Sequence, residues 1–338
     1  MKKNMMIILS FLLIIFFVGC AKSSPQKTPF SKNKEPMEHL NPEPEKPLYY
    51  APLTGLPVDH EINQRIIGVM INNHFKARPQ SGLNQADMVY EILAEGMITR
   101  FLAIYHSQEP EVIGPVRSIR PYYLKIMKEL DSLVVHAGAS TEAYAMLNKG
   151  GYPDVDGLVG EGRYFWRAKF REAPHNLYTS AEKIKQYAND HRYRLVGEIP
   201  TVKFLKEEDT VTGQVAKNIT IQYYSKYIVG YEYDETTKLY KRTINQQPHI
   251  DLETKKQLTA RNVLVIRAKH WSIGNTKRGI DIDGPGKGYL FRNGVGQAID
   301  WKMEDGIIRA YVNGIEQGLY PGQTWIIVIE PQMVVSYQ

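Results

Sequence analysis

The sequence predicts an α/β N-terminal domain followed by a mainly β C-terminal domain, an α+β fold overall. Before about residue 195, short apolar runs rich in β-branched residues alternate with segments of helical periodicity. After it, strand-like segments follow one another, separated by turn signals such as Arg292-Asn293-Gly294. This change of pattern, together with Pro200, predicts two domains, 51–197 and 198–338.

Two strand regions open the predicted α/β domain. Residues 66–73 form a short apolar run that ends in two asparagines, which is typical of a buried strand followed by a turn. The segment 86–105 is ambiguous, because acidic residues four positions apart share a face in a helix and also in a strand. Its β-branched and aromatic residues, with Glu95-Gly96 as a turn, favour a hairpin of strands 88–94 and 98–106.

Three helices and one further strand are expected in the same domain. The first helix begins with Pro121, a proline that fits the first turn. Ser140 or Thr141 is expected to cap the free N–H groups of the second helix, and Ser180 those of the third. The helices cover residues 121–130, 140–147 and 180–191, and the strand covers 131–137.

Nine strands are expected after residue 197, because β-branched and aromatic residues cluster between turn signals there. They cover residues 201–205, 219–223, 227–233, 237–243, 262–267, 288–291, 297–302, 308–312 and 325–329. Trp271, Trp301 and Trp325 lie in this half, and we expect them to belong to its core.

The first 19 residues have the form of a lipoprotein signal peptide. Lys2 and Lys3 precede an apolar run over 5–18, shorter than the roughly 20 residues that span a bilayer as a helix. The string FVGC then resembles a lipobox, although Phe17 replaces the usual leucine. Cys20 is the only cysteine of the chain, so lipidation with two acyl chains is its predicted use. The alternative is an uncleaved N-terminal anchor helix.

Residues 20–50 are expected to form a disordered tether. They are rich in Pro, Ser, Lys, Asn and Glu, and such a segment cannot bury enough apolar surface to offset its ordering entropy. Its prolines favour a semi-extended chain. Cleaved before Cys20 and acylated there, the protein would be held on the outer face of the cytoplasmic membrane.

The charge balance gives no indication of nucleic-acid binding. The formal net charge is +6, of which Lys2 and Lys3 in the leader contribute two charges. No basic stripe, zinc-finger spacing or RNP-type motif accompanies this charge. Such a net positive charge predicts a weak attraction to anionic lipid headgroups or wall polymers.

Six arginines are candidates for binding an anion, because they lie near turns that follow predicted strands, where α/β folds commonly place their sites. A guanidinium group matches phosphate or carboxylate with two hydrogen bonds. They are Arg78, Arg100, Arg117, Arg120, Arg167 and Arg171. The acidic and polar residues expected around them are Asp87, Glu91, Glu95, His136, His175 and Asn176. The structural alternative is that these arginines and carboxylates pair with one another across strand ends.

Backbone N–H groups of residues 114–118 and 138–140 are expected to add donors for an anion, near predicted helix starts. His136 and His175 are candidates for a general base, with a hydrogen-bonded structural histidine as the alternative. Ser118 and Ser140 lack the setting of a recognisable nucleophile. The sequence requires no cofactor. A Mg²⁺ or Ca²⁺ ion bound through the carboxylates of Asp87, Glu91 and Glu95 remains an alternative.

Several strings in this chain are long and unusual, namely PLTG at 52–55, ARPQSGLNQAD at 77–87, EGMITRFLAIY at 95–105, GPVRSIRPYY at 114–123, HAGAS at 136–140, APHNLY at 173–178 and PGQTW at 321–325. Through them the chain resembles the YerB-like lipoproteins of Gram-positive bacteria, a family whose domain has no assigned function. The resemblance covers most of the mature chain. It implies a membrane lipoprotein with an N-terminal α/β part and a C-terminal β-rich part, and it assigns no catalytic residue.

Two functions are therefore considered. The first is an accessory lipoprotein, not an enzyme, whose arginine-rich cleft binds an anionic ligand, a cell-wall polymer or a protein partner. The second is an extracytoplasmic hydrolase or transferase acting on phosphorylated lipid or cell-wall precursors. ARPQSGLNQAD followed by GPVRSIR places arginines and an acidic residue near predicted strand ends. In residue types and order this is similar to LytR-CpsA-Psr phosphotransferases, but the Arg-Ser-Asp-Thr string of that family is absent here. We favour the binding role.

Overall fold

The computed structural model describes residues 49–338 of the chain. The predicted signal peptide, Cys20 and the tether up to residue 48 lie outside the described residues. The described residues, 49–338, belong to one compact unit. None of the helices in the described part is long and apolar enough to cross a membrane.

The helices of residues 49–338 lie before residue 191. Strands β1 to β9 cover Tyr49–Tyr50, Pro57–Val58, Ile67–Asn72, Met88–Glu95, Ile98–Tyr105, Leu133–His136, Asp154–Asp156, Trp166–Arg167 and Leu177–Tyr178. Helices α1 to α3 cover Pro121–Glu129, Thr141–Asn148 and Ala181–Asp190, and two 3-10 turns cover Phe75–Ala77 and Leu83–Gln85. The predicted helix starts are confirmed, since Pro121 opens α1 and the hydroxyls of Ser140 and Ser180 cap α2 and α3.

The second half consists of strands. Strands β10 to β24 cover Gln214–Val215, Asn218–Tyr224, Tyr227–Asp234, Leu239–Ile244, Gln247–Pro248, Thr259–Ala260, Asn262–Arg267, His270–Ser272, Arg278–Ile280, Gly286–Arg292, Val295–Glu304, Ile307–Val312, Ile315–Glu316, Thr324–Ile329 and Val334–Tyr337. The strand predicted over 201–205 is wrong, because only Phe204 makes an isolated bridge there, to Leu319. The other eight predicted strands are confirmed.

A twelve-stranded sheet dominates the molecule, in the order β22-β21-β20-β19-β16-β23-β4-β5-β3-β6-β7, with β10 beside β20. Strands β3, β6 and β7 are parallel, and so are β16, β23 and β4. Because β5 is antiparallel to both β3 and β4, all six of these strands run in the same direction. Their carboxyl ends therefore meet at one edge of the sheet, which we call the carboxyl edge.

The central sheet is buried on both faces. Side chains alternate along β23, so that Trp325 and Ile327 enter one core while Ile326 and Val328 enter the other. The first core takes in α3 and a six-stranded antiparallel sheet, β14-β13-β12-β11-β24 with β15. The second core takes in α1 and α2. The continuous apolar sequence of β23 follows from this double burial.

The fold is mostly strand with few helices, which confirms the coarse α+β expectation. The division at 197/198 remains a prediction, because strands from both sides of it alternate in the central sheet: β16 and β23 follow residue 197, and β4 precedes it.

The tryptophan prediction is confirmed at two positions and wrong at one. Trp301 and Trp325 are buried, whereas Trp271 is 45% exposed on the hairpin of β17 and β18. The Trp271 ring lies against Gly279, where an added Cβ would come within 2.2 Å of the ring. The absence of a side chain at Gly279 makes room for the Trp271 indole, which lies outside the core.

Candidate functional site

The segment 114–119 crosses the carboxyl edge and holds Arg117 between two parallel strands. The N–H of Arg117 donates to the carbonyl of Met70 in β3 over 2.8 Å. Its own carbonyl accepts from the N–H of Ala137, the residue after β6, over 3.1 Å. The backbone of Arg117 is therefore fixed at the position where open α/β sheets commonly bind ligands.

Arg117 lies in a cleft of about 340 Å³, which we call the Arg117 cleft. It is lined by Val116, Arg117, Ser118, Ala137, Gly138, Ala139, Tyr144, Leu158, Arg167, Pro174 and Leu177. Gly138 lies in its wall with a φ of 74°, and a Cβ there would come within 3.1 Å of Leu158. A side chain at this position would therefore be strained and would crowd the cleft.

The guanidinium of Arg117 makes no hydrogen bond or ion pair within residues 49–338. It is half-buried, and burial together with nearby Arg100 lowers its pKa. Arginine nevertheless remains protonated in proteins. A half-buried cation without a partner is costly, and an anion in the cleft would relieve that cost.

Two histidines flank this arginine. The imidazoles of His74 and His175 stack with centroids 4.7 Å apart, and Nδ1 of His175 lies 2.9 Å from the side-chain nitrogen of Asn72. An amide nitrogen can only donate, so Nδ1 of His175 accepts and its Nε2 carries the proton. Burial lowers the pKa of both histidines, and Arg117 lowers it further. Both rings are therefore neutral near pH 7.

Three other predicted arginines are occupied by protein acceptors. Arg100 donates to Glu95 (2.8 Å) and to the carbonyl of Ser118 (2.6 Å), and Arg120 also pairs with Glu95. Arg78 donates twice to Asn73 and lies over the ring of Tyr227. The structural alternative of arginine–carboxylate pairing therefore describes Arg100 and Arg120, although Nε of Arg120 is buried and has no partner in the described part of the chain.

Arg167, Arg171 and Asn176 organise the loop between β8 and β9. Arg167 makes a two-point contact with Glu161 and a third bond to Asn176. Arg171 donates to the carbonyls of Ala77 and Pro79, each over 2.5 Å. This loop is thus held against the turn that follows β3, and of the three residues only Arg167 lines the Arg117 cleft.

Three predicted pocket residues are buried and bonded to other groups of the protein. Asp87 accepts from the backbone N–H groups of His106 and Ser107, and burial raises its pKa. Glu91 is fully buried and pairs with Arg242 at 2.7 Å. His136 is fully buried and bonds Asp154 and the carbonyl of Gly138. None of the three lines the Arg117 cleft, and their role in a ligand pocket stays a prediction.

Five of the backbone donors expected at 114–118 and 138–140 are also engaged. The N–H groups of Gly114, Val116 and Arg117 donate to carbonyls of Ser81, Leu177 and Met70. Those of Gly138 and Ser140 donate to Asp156 and Ile119. These five groups are not available to an anion. The N–H of Ser118, which lines the Arg117 cleft, makes no hydrogen bond within residues 49–338 and remains a candidate donor beside the side chains.

Sequence reasoning missed His74 and Lys76 as members of this region. The signal was available, since the string HFK at 74–76 directly follows the asparagines that end β3. No group of three or more His, Cys, Asp or Glu side chains in residues 49–338 is arranged to hold a metal ion. A larger cavity, of about 1040 Å³, lies between α1 and the β17–β18 hairpin and contains none of the predicted site residues.

Comparisons with known proteins give two family matches. Residues 53–194 match "Protein of unknown function (DUF3048) N-terminal domain", and residues 219–326 match "Protein of unknown function (DUF3048) C-terminal domain". The interval between the two matches includes the predicted boundary at 197/198.

One relative is similar over most of this chain. It is "Putative lipoprotein YerB" of Bacillus subtilis (strain 168), 39% identical over 284 residues, which are 82% of this chain and 86% of the relative. A crystal structure of the YerB protein from Bacillus subtilis has a TM-score of 0.79 and 38% identity, covering 85% of this chain and 99% of that one. Nearly the whole of that crystallised chain is matched, so the match spans a complete folded unit of that relative.

Proposed function

Because this chain belongs to the YerB-like lipoprotein family with its two DUF3048 domains, we propose that it is a lipid-anchored accessory lipoprotein whose Arg117 cleft binds an anionic ligand. The sequence supports the anchor through the lipobox-like string that ends in Cys20. The proposed location is the outer face of the cytoplasmic membrane, where such anchors hold exported proteins.

One observation carries the binding proposal. Of the six predicted arginines, Arg117 is the one whose guanidinium has no protein acceptor within residues 49–338, and it lies in a cleft at the carboxyl edge. Arg100 lies close enough to lower its pKa, so positive charge accumulates there. A phosphate or carboxylate group would supply the missing acceptor with two-point geometry.

We expect pyrophosphate to raise the melting temperature of residues 47–338, and Arg117→Met to abolish that rise. A ligand at a hundredfold its Kd stabilises a protein by about 2.7 kcal/mol, which is roughly 5 °C for a domain of this size. Without ligand, the Arg117→Met protein should melt at the same temperature as the parent or higher, because an unpaired charge is removed. Differential scanning fluorimetry measures both effects.

Arg194→Met is the matched control, because Arg194 lies at the edge of the sheet opposite the carboxyl edge. Its replacement leaves Asp131 paired with Arg65. A shift that persists in Arg117→Met would refute the cleft as the site. If pyrophosphate, glycerol phosphate and a polyprenyl phosphate all give no shift, the anion proposal falls and a protein partner is favoured. Turnover of a pyrophosphate linkage in the same samples would instead support the alternative, an enzyme of phosphorylated lipid or wall precursors.

The anchor has its own test. Radiolabelled palmitate should be incorporated into the full-length protein expressed in a Gram-positive host. Cys20→Ser should abolish that labelling and release mature protein from the membrane fraction. The reason is that Cys20 is the only thiol of the chain, so no second sulfur can carry the lipid. Unchanged membrane attachment of Cys20→Ser would point to an uncleaved anchor helix.

A further inference from the structure

Large apolar side chains stand exposed around the carboxyl edge. Phe75, Val159 and Phe170 are 68%, 78% and 66% exposed, and Ile98 and Tyr224 are also exposed. They come from five separate segments that end or connect strands. Single exposed apolar residues are common on protein surfaces, but several at one edge indicate an interaction site.

Contacts between these segments show that they form one rim. The Phe75 ring packs on His74 at 4.3 Å between centroids, and His74 stacks on His175. Arg171, beside Phe170, donates to the carbonyl of Ala77 and so joins its loop to the turn of Phe75.

The rim also lies beside the Arg117 cleft. Phe75, Ile98 and Tyr224 line one cavity of about 400 Å³. Leu158, next to Val159, lines the Arg117 cleft. Part of the rim thus adjoins the proposed anion site.

The charges on this rim are mostly positive and unpaired. Lys76, Lys169 and Lys226 are exposed and make no ion pair within residues 49–338. The carboxylates of Glu95, Glu142 and Glu161 are each held in ion pairs. The exception is Glu172, which forms no such pair within the described part of the chain.

We propose that this rim docks onto an anionic lipid bilayer and that the ligand of Arg117 is the phosphate of a membrane lipid. Separate apolar side chains that enter the acyl boundary, flanked by lysines that contact headgroups, are what peripheral membrane binding requires. The charge complementarity favours an anionic surface. The inference rests on the proposed function, because it names the source of the anion bound by Arg117.

The length of the chain before the described residues permits this docking. Strand β1 pairs with β2, and residues 58–64 line a cavity with Ser107 and Glu109, just past the end of β5. The described chain therefore begins at the edge opposite the rim. Residues 20–49 can span up to about 95 Å, whereas a domain of this size measures roughly 50 Å across. The anchor also keeps the domain at a high effective concentration near the membrane.

The experiment is vesicle flotation with residues 47–338, which lack the lipid anchor. We expect binding to vesicles of phosphatidylcholine mixed with phosphatidylglycerol and much weaker binding to phosphatidylcholine alone. Phe75→Ser with Phe170→Ser should lower the partition coefficient by about tenfold for each side chain. Val215→Ser with Ile315→Ser is the matched control, because these residues are 63% and 65% exposed on strands away from the rim.

A second arm separates this inference from the proposed function. The Phe75→Ser and Phe170→Ser protein should keep its melting shift with pyrophosphate, whereas Arg117→Met should lose that shift and bind anionic vesicles several-fold more weakly. A pyrophosphate shift without vesicle binding, or vesicle binding unchanged by the two serines, overturns the docking inference and leaves the anion site standing. Absence of both signals overturns both proposals.

Discussion

Arg242→Met is expected to destabilise the fold by about 3–5 kcal/mol, because it leaves the carboxylate of Glu91 buried without its counter-charge. Both side chains are fully buried, with Nη2 of Arg242 2.7 Å from Oε2 of Glu91. Burial lowers the pKa of Arg242, but the Glu91 carboxylate and neighbouring tyrosines raise it by more. Arg242 therefore stays charged and pairs with Glu91.

This pair is the centre of a hydrogen-bonded network. Arg242 also donates to Tyr231 and to Nδ1 of His249, and its guanidinium lies 4.5 Å from the centre of the Trp325 ring. Glu91 accepts from Thr99 over 2.8 Å. Since Glu91 belongs to β4 of the central sheet and Arg242 to β13 of the six-stranded sheet, the network joins the two sheets.

Urea denaturation at neutral pH measures the loss. Arg163→Met is the control, because the exposed pair of Arg163 with Asp190 should contribute less than about 1 kcal/mol. The double variant Glu91→Leu with Arg242→Met should lose less unfolding free energy than the two single variants lose in sum, since no unpaired buried charge remains. An Arg242→Met protein within about 1 kcal/mol of the parent, roughly the value of a surface pair, would contradict this account.

Lowering the pH from 7.5 to 4 is expected to cost the fold about 3 kcal/mol through His106 alone. Burial lowers the pKa of His106 to about 4. Its Nε2 donates to the carbonyl of Gln64, while its Nδ1 is buried without a partner among residues 49–338. A proton on Nδ1 would therefore have no acceptor.

The sign of this effect follows from proton counting. Between about pH 6.5 and 4 the unfolded histidine binds a proton that the folded one does not, so stability falls as the pH falls through that window. His249 acts in the same direction, because burial and Arg242 hold its pKa well below the usual value. Asp87 acts in the opposite direction, since burial raises its pKa and the folded state binds its proton more readily.

Urea unfolding at several pH values between 7.5 and 4 tests this expectation. His106→Gln should flatten the pH dependence, because glutamine can still donate to Gln64 and does not titrate. An identical slope in His106→Gln and the parent would refute the assignment.

Local features of the sequence predicted most of the elements. The hairpin of β4 and β5 was predicted because β-branched and aromatic residues lie on both sides of the Glu95-Gly96 turn, which is a local signal. The starts of α1, α2 and α3 were predicted because capping involves residues within one turn of each other. The strand over 201–205 was wrong because an apolar run does not show whether a partner strand is available.

The candidate site was only partly predictable. Arg117 was among the six predicted arginines, but nothing in its sequence neighbourhood distinguishes it from Arg120, which pairs with Glu95. Arg171 is occupied by carbonyls more than 90 positions earlier in the chain. His74 was missed because its importance comes from stacking on His175, about a hundred residues later.

By itself, the sequence determined the positions of most strands and helices and the family resemblance, and it predicted a leader that ends before the single cysteine. The tertiary structure decided which arginine remains without a partner and how strands on both sides of residue 197 share one sheet. The physical reason is range: periodicity and capping act between residues a few positions apart, whereas an ion pair such as Glu91 with Arg242 joins residues 151 positions apart. Only folding shows which charges are paired within the protein and which are not.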